Sequence, residues 1–213
     1  MITYENLAAH AVLWTRGEPV PSLTEFDIYD HERAGLHSYE AKYFLAVEAA
    51  RTNFIQQFSF AVPCSEVLDS LASLEPILEV GAGTGFWAHL MRMRGIDVWA
   101  TDGEDESTRN THSQVVAGFG INERLDGQVA VESYPGLNVF MCWPPYWTDW
   151  PERTLLAMER GMYLAVICDR AGVAGSAQFH GILETQFEEQ VHLRVHQPNW
   201  PRIWDSFSVW RKK

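Results

Sequence analysis

The sequence is poor in the features that tie a chain to nucleic acid, membranes or an oxidising compartment. Cysteine occurs three times, at Cys64, Cys142 and Cys168. The number is odd, the spacing is wide and no C-x-x-C pair is present, so no disulfide framework is expected and a reducing compartment is. Basic residues are also few, 16 Lys and Arg against 28 Asp and Glu, for a net charge of −12. Affinity for naked DNA or RNA comes largely from basic side chains that neutralise phosphates, so nucleic-acid partners are disfavoured, as are anionic membrane surfaces. No apolar run approaches the ~18 residues that span a bilayer. The first residues include Glu5 and lack the basic, apolar pattern of a signal peptide. A soluble cytoplasmic protein without a membrane anchor is therefore expected. There is no phosphate loop ending in Gly-Lys-Ser/Thr and no Ser-His-Asp order. His192 and His196 share a strand face by parity, but no third ligand is spaced for zinc, so no metal site is expected. Repeats, low-complexity tracts and flexible linkers are absent too.

What is present is a well-patterned globular chain. Its 213 residues, with nine Trp, suffice for one α/β domain with a sizeable core and an extra cap. The informative stretch runs from Pro76 to Gly103. Ile77, Leu78 and Val80 form a short apolar run of the kind found in buried parallel strands. Gly81, Gly83 and Gly85 follow, permitting a sharp turn and close approach of a ligand to bare backbone. Phe86 to Arg94 has helical composition and Gly95 sits where a C-terminal cap belongs. Ile96, Val98, Trp99 and Ala100 make a second strand that ends at Asp102. A helix N-terminus above a glycine turn offers free N–H groups, and an acid after the next strand can accept ribose hydroxyls. This is the pattern of a nucleoside-cofactor site.

The rest of the chain frames that unit. Residues 1–14 and about 34–58 place apolar side chains at helical spacing and read as a helical cap over residues 1–57. The cofactor-binding domain is then expected over 58–213. A helix is expected over about Cys64 to Leu74 with Ser65 as its N-cap, and a strand near Val129 to Glu132. Further strands are expected at Asn138–Cys142 and Met162–Cys168, with a helix from Thr154 to Arg160 between them. A helix over Gln178 to Thr185, a strand over Gln190 to His196, a turn at Asn199–Pro201 and a last strand over Ser206 to Trp210 complete the chain. The last two strands lack a helical connection, so they must be antiparallel.

Glycine spacing alone leaves the cofactor open, because Gly83 to Ala88 also satisfies a loose G-x-G-x-x-A dinucleotide pattern. The wider string Glu79-Val80-Gly81-Ala82-Gly83-Thr84-Gly85 resembles motif I of the class I S-adenosylmethionine (SAM) methyltransferases. SAM carries an ammonium and a sulfonium where a dinucleotide carries pyrophosphate, so an acid at Glu79 suits SAM. Trp143-Pro144-Pro145-Tyr146 resembles motif IV of the amino-methyltransferases, usually Asn- or Asp-Pro-Pro-aromatic. Trp143 departs from that pattern, because indole donates and cannot accept from an amino group. Residues 58–103, 139–147 and 198–212 are similar to a branch of class I methyltransferase-like proteins, whose usual Gly-Gly-Cys-Thr-like loop after the fifth strand is here replaced by Asp169–Ser176.

The resemblance implies a Rossmann-like α/β fold, a mostly parallel seven-strand sheet with an antiparallel last strand, and SAM as cofactor. It implies cofactor binding by Glu79, Gly81, Gly83, Gly85, Phe86, Asp102 and Trp143, and an acceptor held by Trp143, Pro144, Pro145 and Tyr146. Phe60, Trp87 and Trp147 could extend an aromatic wall suited to a sulfonium. A base could also come from His31 or His37 in the cap. The expected activity is methyl transfer to a small molecule or protein. Two readings stay beside it: a nucleic-acid amino-methyltransferase, and a SAM-binding partner protein without catalysis. The sequence does not choose an oligomeric state.

Overall fold

The computed structural model describes residues 51–52, 54–103, 118–169, 174–193 and 205–213. Most of the expected cap, with His31 and His37, lies outside the described residues, as do the stretch 104–117, His196 and the turn at Asn199–Pro201. In chain order the elements are α1 (Ser65–Ala72), β1 (Ile77–Val80), α2 (Phe86–Met93), β2 (Val98–Thr101), α3 (Gly127–Ser133) and β3 (Asn138–Cys142). They continue as α4 (Trp150–Ala157), β4 (Tyr163–Asp169), α5 (Ala177–Gln186), β5 (Phe187–Leu193) and β6 (Asp205–Lys212).

The strands form one Rossmann-like sheet in the order β2-β1-β3-β4-β6-β5. The first four are parallel, and β6 runs antiparallel between β4 and β5. The reversed last strand is thus present as expected. Among the described residues the sheet has six strands where seven were expected, and beyond β2 a single parallel bridge, Thr101 to Glu123, continues the ladder.

Both faces of the sheet are covered, which explains why its strands read as apolar runs and not as alternating ones. Parity divides the core cleanly. Ile77, Phe140, Ala165, Ile167, Phe207 and Val209 point to one face, where α1 and α2 supply Val67, Leu71, Phe86, Trp87 and Met91. Leu78, Val80, Val139, Met141, Leu164 and Val166 point to the other, against Ala130, Leu155, Phe179 and Leu183 from α3, α4 and α5. The helix after the glycine turn ends as its sequence predicts. Gly95 adopts φ 76°, its N–H reaches Arg92 O at 2.9 Å and Ile96 N–H reaches Met91 O at 3.0 Å. That pair of bonds satisfies carbonyls left open at a helix end.

Three expectations need correction. The expected strand near Val129–Glu132 is helix α3, started by Asp126, whose side chain accepts from Gln128 N. Ser65 is the first helical residue and not the cap. Cys64 holds the cap position without a side-chain bond, while Ser65 Oγ accepts from Arg94 Nη2 at 3.2 Å. Helix α4 starts at Trp150 and ends at Ala157, earlier than Thr154–Arg160, with a proline in its first turn where a missing N–H costs nothing.

Candidate active site

The parallel strands β1 to β4 end along one edge, and ligands of open α/β sheets bind outside such carboxyl ends. The glycine turn leaves β1 at that edge. All three of its glycines have positive φ, and two serve visibly different purposes. A Cβ on Gly85 would lie 2.6 Å from Gly120 O, so that position is closed by packing. Among the described residues a Cβ on Gly83 would meet nothing within 4 Å, so there the bare backbone is open. The third, Gly81, is covered by Trp150, whose Cη2 would lie 2.7 Å from an added Cβ.

Asp102, just past β2, accepts the Gly83 N–H through Oδ2 at 2.6 Å. The acid expected after the second strand therefore also braces the glycine turn. Asp102 N–H in turn donates to Glu123 O at 3.3 Å.

Glu79 is the most unusual residue of the turn region. It shares parity with Ile77, so its side chain points to the α2 face and is 1% exposed. Its Oε2 is buried without a hydrogen-bond partner among the described residues. Burial pushes the carboxyl up to about 8, with Arg92's charge and the Ala88 N–H pulling it back and Asp102 adding to the rise. An enclosed carboxyl of this kind, with one oxygen unpartnered, fits a cationic ligand group such as the ammonium of SAM, whose charge would favour its ionised form. With the open backbone at Gly83 and the carboxylate at Asp102, these residues fit SAM.

Phe86 is wholly buried, its ring 5.1 Å from Phe58 and 5.0 Å from Phe119, so it contributes to the core. Trp87 packs edge-on against Phe140 at 5.5 Å. Phe60 stacks on Trp143 at 5.4 Å, and Tyr146 lies edge-on to Trp147, both exposed. The aromatics expected as one wall thus divide between core and edge.

The Trp143–Tyr146 turn has a distinct hydrogen-bond pattern. Trp143 has φ 58°, a left-handed conformation that is costly for a bulky side chain. Its N–H donates to Ile167 O at 2.8 Å, and its indole Nε1 donates to Asp205 Oδ1 at 2.7 Å. The Pro144 carbonyl accepts the Gly175 N–H at 2.6 Å. Pro145 is half-buried beside it.

Several residues at this edge escaped the reading of the sequence. Asp205 opens β6 directly opposite Asp169, the last residue of β4, and the two are 8% and 2% exposed. Burial raises Asp205 to about 7; the Trp143 N–H and Arg51 work against this and Asp169 adds to it. A cavity of about 430 Å³ opens past β2, lined by Gly103, Asp126, Trp147, Thr148, Trp150 and Arg153. Arg153 grips Asp126 with two parallel bonds, Nη1 to Oδ1 at 3.2 Å and Nη2 to Oδ2 at 3.1 Å. Asp126 had a local signal, an Asp-Gly pair ahead of an amphipathic stretch; Asp205 and Arg153 had none.

Among the described residues no helix is long and apolar enough to cross a membrane. No protein-family model matches the chain, and no curated protein matches it in sequence. Solved structures similar to it include a Listeria monocytogenes protein assigned to the class I SAM-dependent methyltransferases. The two share 13% identity over 99% of this chain and 81% of that one, with a TM-score of 0.47. A Klebsiella pneumoniae protein assigned as an O-methyltransferase shares 13% over 89% of this chain and 96% of that one, at 0.46. A glycopeptide N-methyltransferase solved with S-adenosyl-L-homocysteine shares 9% over 74% and 92%, at 0.46. At these identities and scores nothing about substrate passes to this chain, and the site stands on its own geometry.

Proposed function

We propose that this protein is a SAM-dependent methyltransferase acting on a small molecule or a protein. The observation that carries the reading is Glu79, a carboxyl with one oxygen buried and unpartnered where β1 enters an open glycine turn. In this reading Glu79 and the Gly81–Gly85 backbone hold the amino-acid end of SAM, and Asp102 holds the ribose. The Trp143–Tyr146 turn borders the acceptor. Bound there, SAM supplies an electrophilic methyl carbon on a sulfonium. The chain's part is to align the acceptor with that carbon and exclude water.

Methylation of a nucleic-acid amine is less well supported. The net charge is −12, the Trp143 indole only donates and is engaged by Asp205, and the Pro144 carbonyl already accepts from Gly175. A SAM-binding partner without catalysis is separated by turnover of SAM to S-adenosylhomocysteine.

Thermal shift with SAM, S-adenosylhomocysteine and NAD in parallel tests the cofactor. A ligand at 100 times its dissociation constant adds about 2.7 kcal/mol. For a chain of this size that is a rise of roughly 5–11 °C. Stabilisation by NAD, with none by SAM, would overturn the proposal.

A further inference from the structure

The carboxyl edge of the sheet holds two further buried acids, Asp169 and Asp205, well away from Glu79 across the strand order, and the turn after β3 reaches the second of them. Parity places Glu79, Cys142, Asp169 and Asp205 on one face, the face that Ile77, Phe140, Ile167 and Phe207 share. The Cys142 thiol, at the end of β3 on this face, is pushed up chiefly by burial, with the charges of Asp205 and Glu79 adding to the rise. The Trp143 indole reaches from the end of β3 across β4 to donate to Asp205 Oδ1. Its ring is held by Phe60, stacked at 5.4 Å, and by the Arg51 guanidinium 5.5 Å from its centroid. A tryptophan at φ 58° is strained, and such strain persists only where surroundings over-determine it. Here the strain aims one N–H at one carboxylate oxygen. A strained, stacked donor that holds a buried carboxylate at the ligand-binding edge is more than packing requires.

We propose that Asp205, oriented by Trp143, accepts the proton of the methyl acceptor, which is therefore a compound bearing an N–H or O–H nucleophile. This inference rests on the SAM reading above. As the nucleophile attacks, the bond from methyl carbon to sulfur breaks and its electron pair stays on sulfur. A C–N or C–O bond forms, and the proton on nitrogen or oxygen passes to Asp205. No oxidant or reductant is needed. Trp143 is a positioning residue: it fixes the carboxylate and favours its charged form. The groups that face Asp205 are Asp169 on β4, which raises it, Arg51 and the Trp143 N–H, which lower it, and the Cys142 thiol. The carboxylate forms as pH rises through about 7, so the base is available at neutral pH.

The test uses sinefungin, a SAM analogue with an amine where SAM carries its methyl-sulfonium, and needs no known acceptor. Its amine sits where the transferred group sits, so in this proposal it meets Asp205, while S-adenosylhomocysteine has nothing there. The readout is the ratio of the two dissociation constants by calorimetry. Contacts both ligands share, Glu79 included, cancel in that ratio. Wild type should favour sinefungin increasingly from pH 6 to pH 8. Asp205→Asn should cut the preference at least tenfold while S-adenosylhomocysteine binds within twofold of wild type. Trp143→Phe keeps the ring and removes the N–H, so the midpoint of the pH dependence should move up. If Asp205→Asn does not fold, the wild-type pH profile and Trp143→Phe decide the matter. A ratio flat from pH 6 to 8, or unchanged in a folded Asp205→Asn, overturns the proposal and leaves the cofactor reading intact. Failure of both ligands and SAM to bind overturns the cofactor reading, and this proposal with it.

Discussion

Glu79→Gln should make the protein more stable and less able to bind its cofactor, and the size of the gain follows from burial. In the folded chain the Glu79 carboxyl is pushed from 4.5 to about 8, chiefly by burial. Between those values the folded state holds a proton that the unfolded state has lost. The stability linked to this group is therefore complete below pH 4.5 and is lost as pH rises through 8. Each pH unit corresponds to 1.36 kcal/mol, so by pH 7 the loss is about 3 kcal/mol. Glutamine keeps the shape and does not titrate. The variant should match wild type near pH 4 and exceed it by about 3 kcal/mol at pH 7, a rise in Tm of roughly 6–12 °C at this chain length. Melting curves from pH 4 to 8 on both proteins give the difference directly. Asp205 also titrates in this range, but it does so in both proteins and cancels. At pH 7 the same variant should lose S-adenosylhomocysteine binding by more than tenfold. A variant less stable than wild type at pH 7, or a difference that does not change with pH, would show that Glu79 is ionised and satisfied in the free protein. Glu79 would then not be a site for a ligand cation.

Two further outcomes follow from the glycine turn. Asp102→Ala removes a carboxylate that braces Gly83 N at 2.6 Å and that in the proposed complex accepts ribose hydroxyls. SAM affinity should fall more than tenfold, over about 1.4 kcal/mol, and unchanged calorimetry in a folded variant would remove Asp102 from the site. Gly83→Ala and Gly85→Ala place the same methyl at similar positive φ and should part company. Gly83→Ala should cost about 1–2 kcal/mol of stability for the left-handed backbone and abolish cofactor binding, since its Cβ enters open space at the site. Gly85→Ala adds a contact at 2.6 Å with the Gly120 carbonyl and should be markedly the less stable of the two by thermal melting.

The sequence by itself determined the strand–turn–helix–strand unit from Ile77 to Asp102, because each of its signals is local. A β-branched apolar run, three glycines at alternate positions and a glycine past the last helical turn constrain the backbone within a few residues. The reversed last strand was also legible, since a connection without a helix leaves no other pairing. Glu79 could be singled out by its place ahead of the glycines. Its burial and its orphaned oxygen could not, because both depend on α2 packing over that face of the sheet. Where a local signal was ambiguous, tertiary context decided. Val129 to Glu132 reads as a strand by its β-branched residues, but Asp126 caps a helix there, and Ala130 and Val131 fill the space between β1 and α4. Trp143 looked like a broken motif. Only the fold shows that its indole crosses a strand to reach Asp205, 62 positions later in the chain. Nothing local marks Asp205. It becomes an acid at the carboxyl edge only because β6 enters the sheet in reverse, which brings that strand's first residue to the end where the parallel strands finish.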